Sequence, residues 1–164
     1  MSYIKIELLN GGAMNEEYQS TFVLLKPNAI QRRLVGDIIR RFEHKGLRID
    51  AMKMIRIDME LAERHYGEHK GKAFYDELIE FITSGPSLAM VISGPDAIEA
   101  ARYLVGDTNP LRAQPGTIRG EYAITTCKNI IHASGDVFAA QREIPRFFRQ
   151  NELMSYHLDV EGDL

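Results

Sequence analysis

Apolar positions along the chain follow two periods, and the switches between them mark the elements. Thr21–Lys26 reads TFVLLK, a short β-rich run closed by Pro27, and predicts a strand. Leu34, Val35, Ile38, Ile39 and Phe42 then lie on one helical stripe, which Gly46 ends. From Leu47 to Ile57 apolar and polar residues alternate, as in a half-buried strand. Asp58 is placed to cap a short helix running through Tyr66. Phe74, Leu78 and Ile82, with Tyr75 and Ile79 beside them, mark the next helix, and Ser84-Gly85-Pro86 a turn. Leu88–Ile92 (LAMVI) is apolar without interruption, which suits a central strand. Asp96 and Glu99 form a capping-box-like pair for a helix ending near Val105.

Residues 106–129 carry Gly106, Pro110, Pro115, Gly116 and Gly120 and read as a long, mostly irregular segment. Loops of that length inside a domain are usually functional or disordered. Two segments compete for the fourth strand, Tyr122–Thr126 and Ile130–Ser134. A last helix starts near Asp136 with Val137, Ala140, Ile144, Phe147 and Phe148 on one face. The order predicts an α+β fold: a ferredoxin-like βαββαβ antiparallel sheet with helices on its faces, one added helical pair and a long loop. Residues 1–19, broken by Gly11-Gly12 and with Met14 as a second possible start, read as an extension. Residues 20–150 form the domain, and 151–164 an acidic tail expected to be mobile.

Bulk properties narrow the function classes. With 164 residues, 45% apolar and 26% charged, the chain makes one ordinary globular domain. A net charge of -3 argues against nucleic acid as the main partner. Cys127 stands alone, so no disulfide can form within the chain. No apolar run reaches membrane-span length and MSYIKIELLN is unlike a signal peptide, so a cytoplasmic location is expected.

The chemistry concentrates late in the chain. If Asn129–Ser134 (NIIHAS) is a strand, Ile130, His132 and Ser134 point one way and Ile131 and Ala133 the other. His132 and Ser134 then share a surface just before a helix N-terminus, where free N–H groups and the dipole favour an anion. Glu143 lies three residues after Ala140 and four before Phe147, on or beside an apolar stripe, where a carboxylate needs a partner. A histidine N–H would serve, fixing the tautomer and leaving the other ring nitrogen free to attack. On spacing alone, a core histidine and a half-exposed glutamate remain the simpler reading. Arg102, Thr108, Arg119 and Lys26 offer the forks, hydroxyl and cation that phosphates require, although each alone reads as an ordinary solvated side chain at the surface. Gly67–Lys72 (GEHKGK) departs from a P-loop in spacing and lacks its Ser or Thr. His65 and His69, four apart, lack a zinc-protease glutamate and have Gly67 between them, so no metal is assigned there.

Taken together, LLKPNAIQRRLVGDIIRRFEHKG, HY, SGP, GDTNP, PGTIRG, NIIHAS and EIPRFF run in order over residues 20–148 and resemble the nucleoside diphosphate kinases closely. The resemblance implies a transfer of the terminal phosphoryl group from a nucleoside triphosphate, typically ATP, to a nucleoside diphosphate. His132 would be the nucleophile, phosphorylated on Nδ1, with Glu143 orienting it and Ser134 and Tyr66 beside it. Lys26 and Asn129 match contacts to the ribose and adjoining phosphate; Arg102, Thr108 and Arg119 match phosphate ligands; Phe74 matches the base-stacking ring, with Leu78 in the same cleft. Magnesium would arrive on the nucleotide phosphates, with no metal ligand from the chain, and the protein would be a homo-oligomer, hexameric or tetrameric. Asn28, Gly135 and Thr126 depart from the aspartate, aspartate and valine usual at those places. A nucleotide-binding protein with poor turnover is the second hypothesis, and an RNA-binding module the weakest, for want of a basic face.

Overall fold

The computed structural model describes residues 18–158; residues 1–17 of the extension and 159–164 of the acidic tail predicted from sequence lie outside them. Four strands form one antiparallel sheet in the order β2-β3-β1-β4: β1 Tyr18–Leu25, β2 Arg48–Arg56, β3 Pro86–Pro95 and β4 Ile131–Ala133. Each strand is followed by helices: α1 Pro27–Gln31 and α2 Val35–His44, then α3 Met59–His65 and α4 Tyr75–Thr83, then α5 Ala97–Val105 and α6 Ile118–Tyr122, and finally α7 Val137–Phe147. This is the predicted ferredoxin-like plan with its added helical pair, α3 and α4, between the second and third strands.

Strand alternation sorts side chains into two cores. Val23, Leu25, Leu88, Met90 and Ile92 face one layer with Ile38 and Phe42 of α2 and Ala97, Ala101 and Val105 of α5. Phe22, Leu24, Ala89 and Val91 face the other, with Ala62 of α3, Leu78, Ile79 and Ile82 of α4, and Phe147. Cover on both faces is why LAMVI shows no alternation. Strand β2 lies at the sheet edge and bulges between Ile49 and Ala51. There Asp50 accepts from Arg48 Nε (2.7 Å) and Ser93 Oγ (2.5 Å), and residues past α7 line the strand, Met154 N donating to Asp50 O at 2.8 Å.

Asp58 caps α3 as predicted, accepting from Leu61 N at 2.8 Å, and Asp136, near the predicted start of the last helix, caps α7 by accepting from Ala139 N at 2.7 Å. The capping box expected at Asp96 and Glu99 does not form. Asp96 adopts a left-handed φ of 44° and makes no side-chain cap; the Ile98 N–H is satisfied instead by Gln19 Oε1 at 3.3 Å. Of the two candidates for the fourth strand, the second is the strand; Tyr122 ends α6 and the residues after it are irregular. Ile130 does not alternate with His132 as predicted. It takes φ 73°, and Ile131 N donates to Asn129 O at 2.8 Å, closing a three-residue turn that sends Ile130 into the same core as Ile131 and Ala133. Val137 likewise leaves the buried face expected of it, being 39% exposed at the first turn of α7, before that helix reaches the sheet.

Candidate active site

One cleft of ≈ 640 Å³ collects ten of the eleven residues assigned from sequence: Lys26, Tyr66, Phe74, Leu78, Arg102, Thr108, Arg119, Asn129, His132 and Glu143. The eleventh, Ser134, is fully buried behind them. That volume suits a small-molecule ligand of nucleotide size.

The floor is built on β4 and α7. His132, opposite Leu24 of β1, projects to the face that α7 covers. His132 Nε2 and Glu143 Oε2 are 2.9 Å apart, and Ser134 Oγ donates to the same oxygen at 2.7 Å. Ser134 Oγ in turn accepts from Phe22 N at 3.2 Å, which fixes the hydroxyl to the central strand. Burial pushes the Glu143 carboxyl up, but the hydrogen bonds and charge of His132 and the Ser134 hydroxyl outweigh it and hold the group below its ordinary range. An ionised carboxylate only accepts, so Nε2 carries the proton and Nδ1 keeps a bare lone pair. The apolar-stripe position of Glu143 is thus explained by its two donors. The helix N-terminus expected to favour an anion is partly occupied, because Asp136 takes the Ala139 N–H.

The strained turn at Ile130 orients the next ring of residues. Backbone at positive φ is costly for a β-branched side chain and is kept where surrounding structure fixes it. Here Lys26 N donates to Ile130 O at 2.8 Å, and Lys26 Nζ to Asn129 Oδ1 at 2.8 Å. Asn129 Nδ2 reaches on to Thr108 O at 3.1 Å, tying the long loop to the strand. Burial, then the nearby Arg119 charge, lowers Lys26 to a pKa of about 7. Arg119 is gripped by three backbone carbonyls, Ile131 O at 2.7 Å, Gly106 O at 3.0 Å and Asn129 O at 3.4 Å. Burial and then Arg102 bring its pKa down to about 10. Gly106 (φ 85°) admits no side chain, since a Cβ there would meet Thr117 Oγ1 at 2.4 Å; this contact closes the loop that delivers Thr108 and Arg119. Arg102 has no ion-pair partner among the described residues. A Cβ on Gly135 would sit 3.9 Å from Arg102 Nη1.

At the mouth, Phe74 sits at the N-cap of α4 and is 46% exposed, one turn before the buried Leu78. Thr126 and Cys127 line the same cleft. Tyr66 is buried with its hydroxyl unpartnered, and burial followed by the Glu143 charge raises its pKa. Sequence reasoning missed further charged lining groups, among them Glu68, Glu77 and Arg142, because nothing in their spacing marks them. The helical pairing of His65 with His69 does not arise. Helix α3 ends at His65, whose ring turns to His132, while His69 lies by Tyr66 and Phe74 and contacts Lys72.

The arrangement joins a pre-oriented imidazole to three cations in a half-open cleft, a site for anions with a nucleophile at its base. Comparisons with known proteins agree. The family profile described as "Nucleoside diphosphate kinase" matches residues 19–153. The chain is 53% identical over 146 residues to a nucleoside diphosphate kinase of Thermosipho melanesiensis, covering 89% of this chain and 99% of that one. It is 55% identical over 135 residues to one of Methanocaldococcus jannaschii, covering 82% and 96%. Among solved structures it resembles a halophilic nucleoside diphosphate kinase of Halobacterium salinarum in complex with CDP, at TM-score 0.86 and 47% identity, covering 89% and 97%. It also resembles a transition-state mimic of the Borrelia burgdorferi enzyme with vanadate and ADP, at TM-score 0.85 and 37% identity, covering 89% and 96%. The chain belongs to the nucleoside diphosphate kinase family and is an enzyme of phosphoryl transfer between nucleotides.

Proposed function

We propose that His132 carries the phosphoryl group in a two-step exchange between a nucleoside triphosphate and a nucleoside diphosphate. The observation that carries this is the 2.9 Å contact of His132 Nε2 with Glu143, itself braced by Ser134, which leaves Nδ1 free on the cleft side. In the first half-reaction Nδ1 attacks the γ-phosphorus, the N–P bond forms as the bond to the bridging oxygen breaks, and the nucleoside diphosphate leaves. A second diphosphate then attacks the phosphohistidine, returning His132 to its starting state. The imidazolium character that develops on transfer is stabilised by Glu143, and the oxygens of the moving group by Arg102, Arg119 and the Thr108 hydroxyl. Tyr66 places its free hydroxyl at the same end. Lys26 and Asn129 hold the sugar and inner phosphates. The base lies on Phe74 over Leu78, and stacking on one ring tolerates every base because each has a π-face.

Magnesium enters with the nucleotide phosphates, as part of the substrate. The one cluster of three potential ligands among the described residues is nitrogen-rich, whereas magnesium takes oxygens. The residues therefore fit an ion that brings its own ligands. The catalytic domain spans 20–150, and the working form is a homo-oligomer of four or six copies in the cytoplasm. Met52 and Met54, each more than half exposed on edge strand β2, support a buried contact between copies. No helix among the described residues is long and apolar enough to cross a membrane.

The test is labelling with γ-phosphate-labelled ATP. An acid-labile, base-stable protein phosphate should form, pass to an added non-adenine diphosphate, and be absent in His132→Ala. A His132→Ala protein that still accepts label would overturn the assignment. Sedimentation of the intact protein checks the oligomer.

A further inference from the structure

Beneath the nucleophile lies a buried group that phosphoryl transfer does not use. His65 is 7% exposed, yet neither of its ring nitrogens has a hydrogen-bond partner. Its ring stands edge-on to His132, 5.0 Å between centroids at 82°, and is walled by Phe22, Phe147 and Tyr66. One donor atom each from His65, His132 and Glu143 lie within 4.8 Å of one another. An unpartnered buried nitrogen is costly, so a ligand able to satisfy it has a driving force to enter.

We propose that His65, His132 and Glu143 form a binding site for a borderline divalent transition ion, zinc first among them, in the unphosphorylated protein. Two imidazoles and a carboxylate are a donor set that zinc uses with a fourth position left open, and two of the three donors, His132 and Glu143, line the cleft. Zinc holds nitrogen and oxygen ligands at about 2.0–2.2 Å, so the three donors must close inward. His65 can make that movement because no hydrogen bond restrains it. Burial, aided by the charge of His132, lowers the pKa of His65 to about 3, so near neutrality it binds without releasing a proton. The His132 ring proton moves from Nε2 to Nδ1, which frees the Nε2 lone pair for the ion, and the ion replaces that proton between Nε2 and Glu143. Magnesium, which prefers oxygen, does not compete. Lys26, Arg102 and Arg119 oppose a dication and keep the affinity below that of a structural zinc site. Metal binding stands independently of the kinase reading; only its consequence, silencing of transfer, rests on His132 being the nucleophile.

The intact apoprotein is titrated with Co2+, followed by its tetrahedral visible absorption, and then with Zn2+ as competitor. One ion should bind per chain and be displaced by zinc. His65→Gln should weaken binding at least ~10-fold, since losing even an outer-shell partner costs ~10–100-fold. His69→Gln should leave the affinity unchanged. Imidazole NMR of the unaltered protein provides a readout independent of any variant's folding: zinc should shift His65 and His132 and spare His44 and His157. Equal affinity in His65→Gln, loss of binding in His69→Gln, or unshifted His65 resonances would each overturn the site.

Discussion

Raising the pH from 6 to 8 should turn nucleotide binding into a proton-consuming event, and the responsible group is Lys26. Its ammonium is buried at the end of β1 and donates to Asn129, and burial with the Arg119 charge leaves its pKa at about 7. At pH 8 only about one side chain in ten is charged in the empty cleft, against about nine in ten at pH 6. Phosphates beside it favour the charged form and return the pKa toward its ordinary value near ~10.4. Binding at pH 8 should therefore take up about 0.9 proton, and at pH 6 about 0.1. Affinity should be level below pH 7 and fall as pH rises above it, by up to ~10-fold per unit. The sign for folding is opposite: between about 7 and 10.5 the unfolded chain holds the extra proton, so this group's contribution to stability grows with pH. Calorimetry of ADP binding in two buffers of different ionisation enthalpy, at pH 6 and pH 8, measures the uptake directly. The nucleotide cannot supply the signal, since a terminal phosphate with pKa of about 6 is already ionised at pH 8. Lys26→Met should remove the buffer dependence and weaken binding by roughly 1.5–3 kcal/mol, the worth of a hydrogen bond to a charged group. Heats that do not depend on buffer at pH 8, or an equal dependence in Lys26→Met, would refute the reasoning.

Glu143→Gln keeps the shape of the brace and removes its charge, so phosphorylation of His132 in rapid-quench experiments should slow ~10–100-fold, about 1.4–2.7 kcal/mol of barrier. Phe74→Ala should raise KM for all diphosphates alike, by roughly 1–3 kcal/mol in binding, and steady-state assays with four bases would expose any unequal loss. Gly135→Asp places a carboxylate near the unpaired Arg102; we expect a several-fold higher KM with little change in melting temperature, readable from steady-state kinetics beside a thermal melt. Asp58→Ala removes the α3 cap far from the cleft and should cost about 1 kcal/mol by urea unfolding, leaving kcat unchanged.

Much of the site was legible because its residues sit in short, ordered runs. NIIHAS, PGTIRG and GDTNP keep chemical groups at fixed spacings, and the glutamate in the apolar stripe of α7 announced that it needed a donor. Other features left no local trace. The Asp96–Glu99 pair has the letters of a capping box, but the backbone arrives left-handed from β3 and Gln19, 79 residues away, supplies the acceptor. Ile130 looks like one more alternating strand residue. Only the bonds from Lys26 and across Asn129 pull it into the turn that aims the asparagine and the lysine at each other. His65 reads as the partner of His69 by helical spacing, yet the helix ends at that residue and packing on Phe22 and Phe147 turns the ring inward.

Periodicity and motif order in the chain alone determined the antiparallel α+β architecture and the order of its elements, while the family resemblance singled out His132 and Glu143 as candidate nucleophile and acid. These are local properties, set by which side chains alternate and which cannot be buried without a partner. The protonation of Lys26, the grip of three carbonyls on Arg119, the open charge of Arg102 and the unsatisfied ring of His65 were decided only by tertiary structure. Each depends on desolvation and on charges brought close from distant parts of the chain, and neither is encoded in any one stretch of sequence.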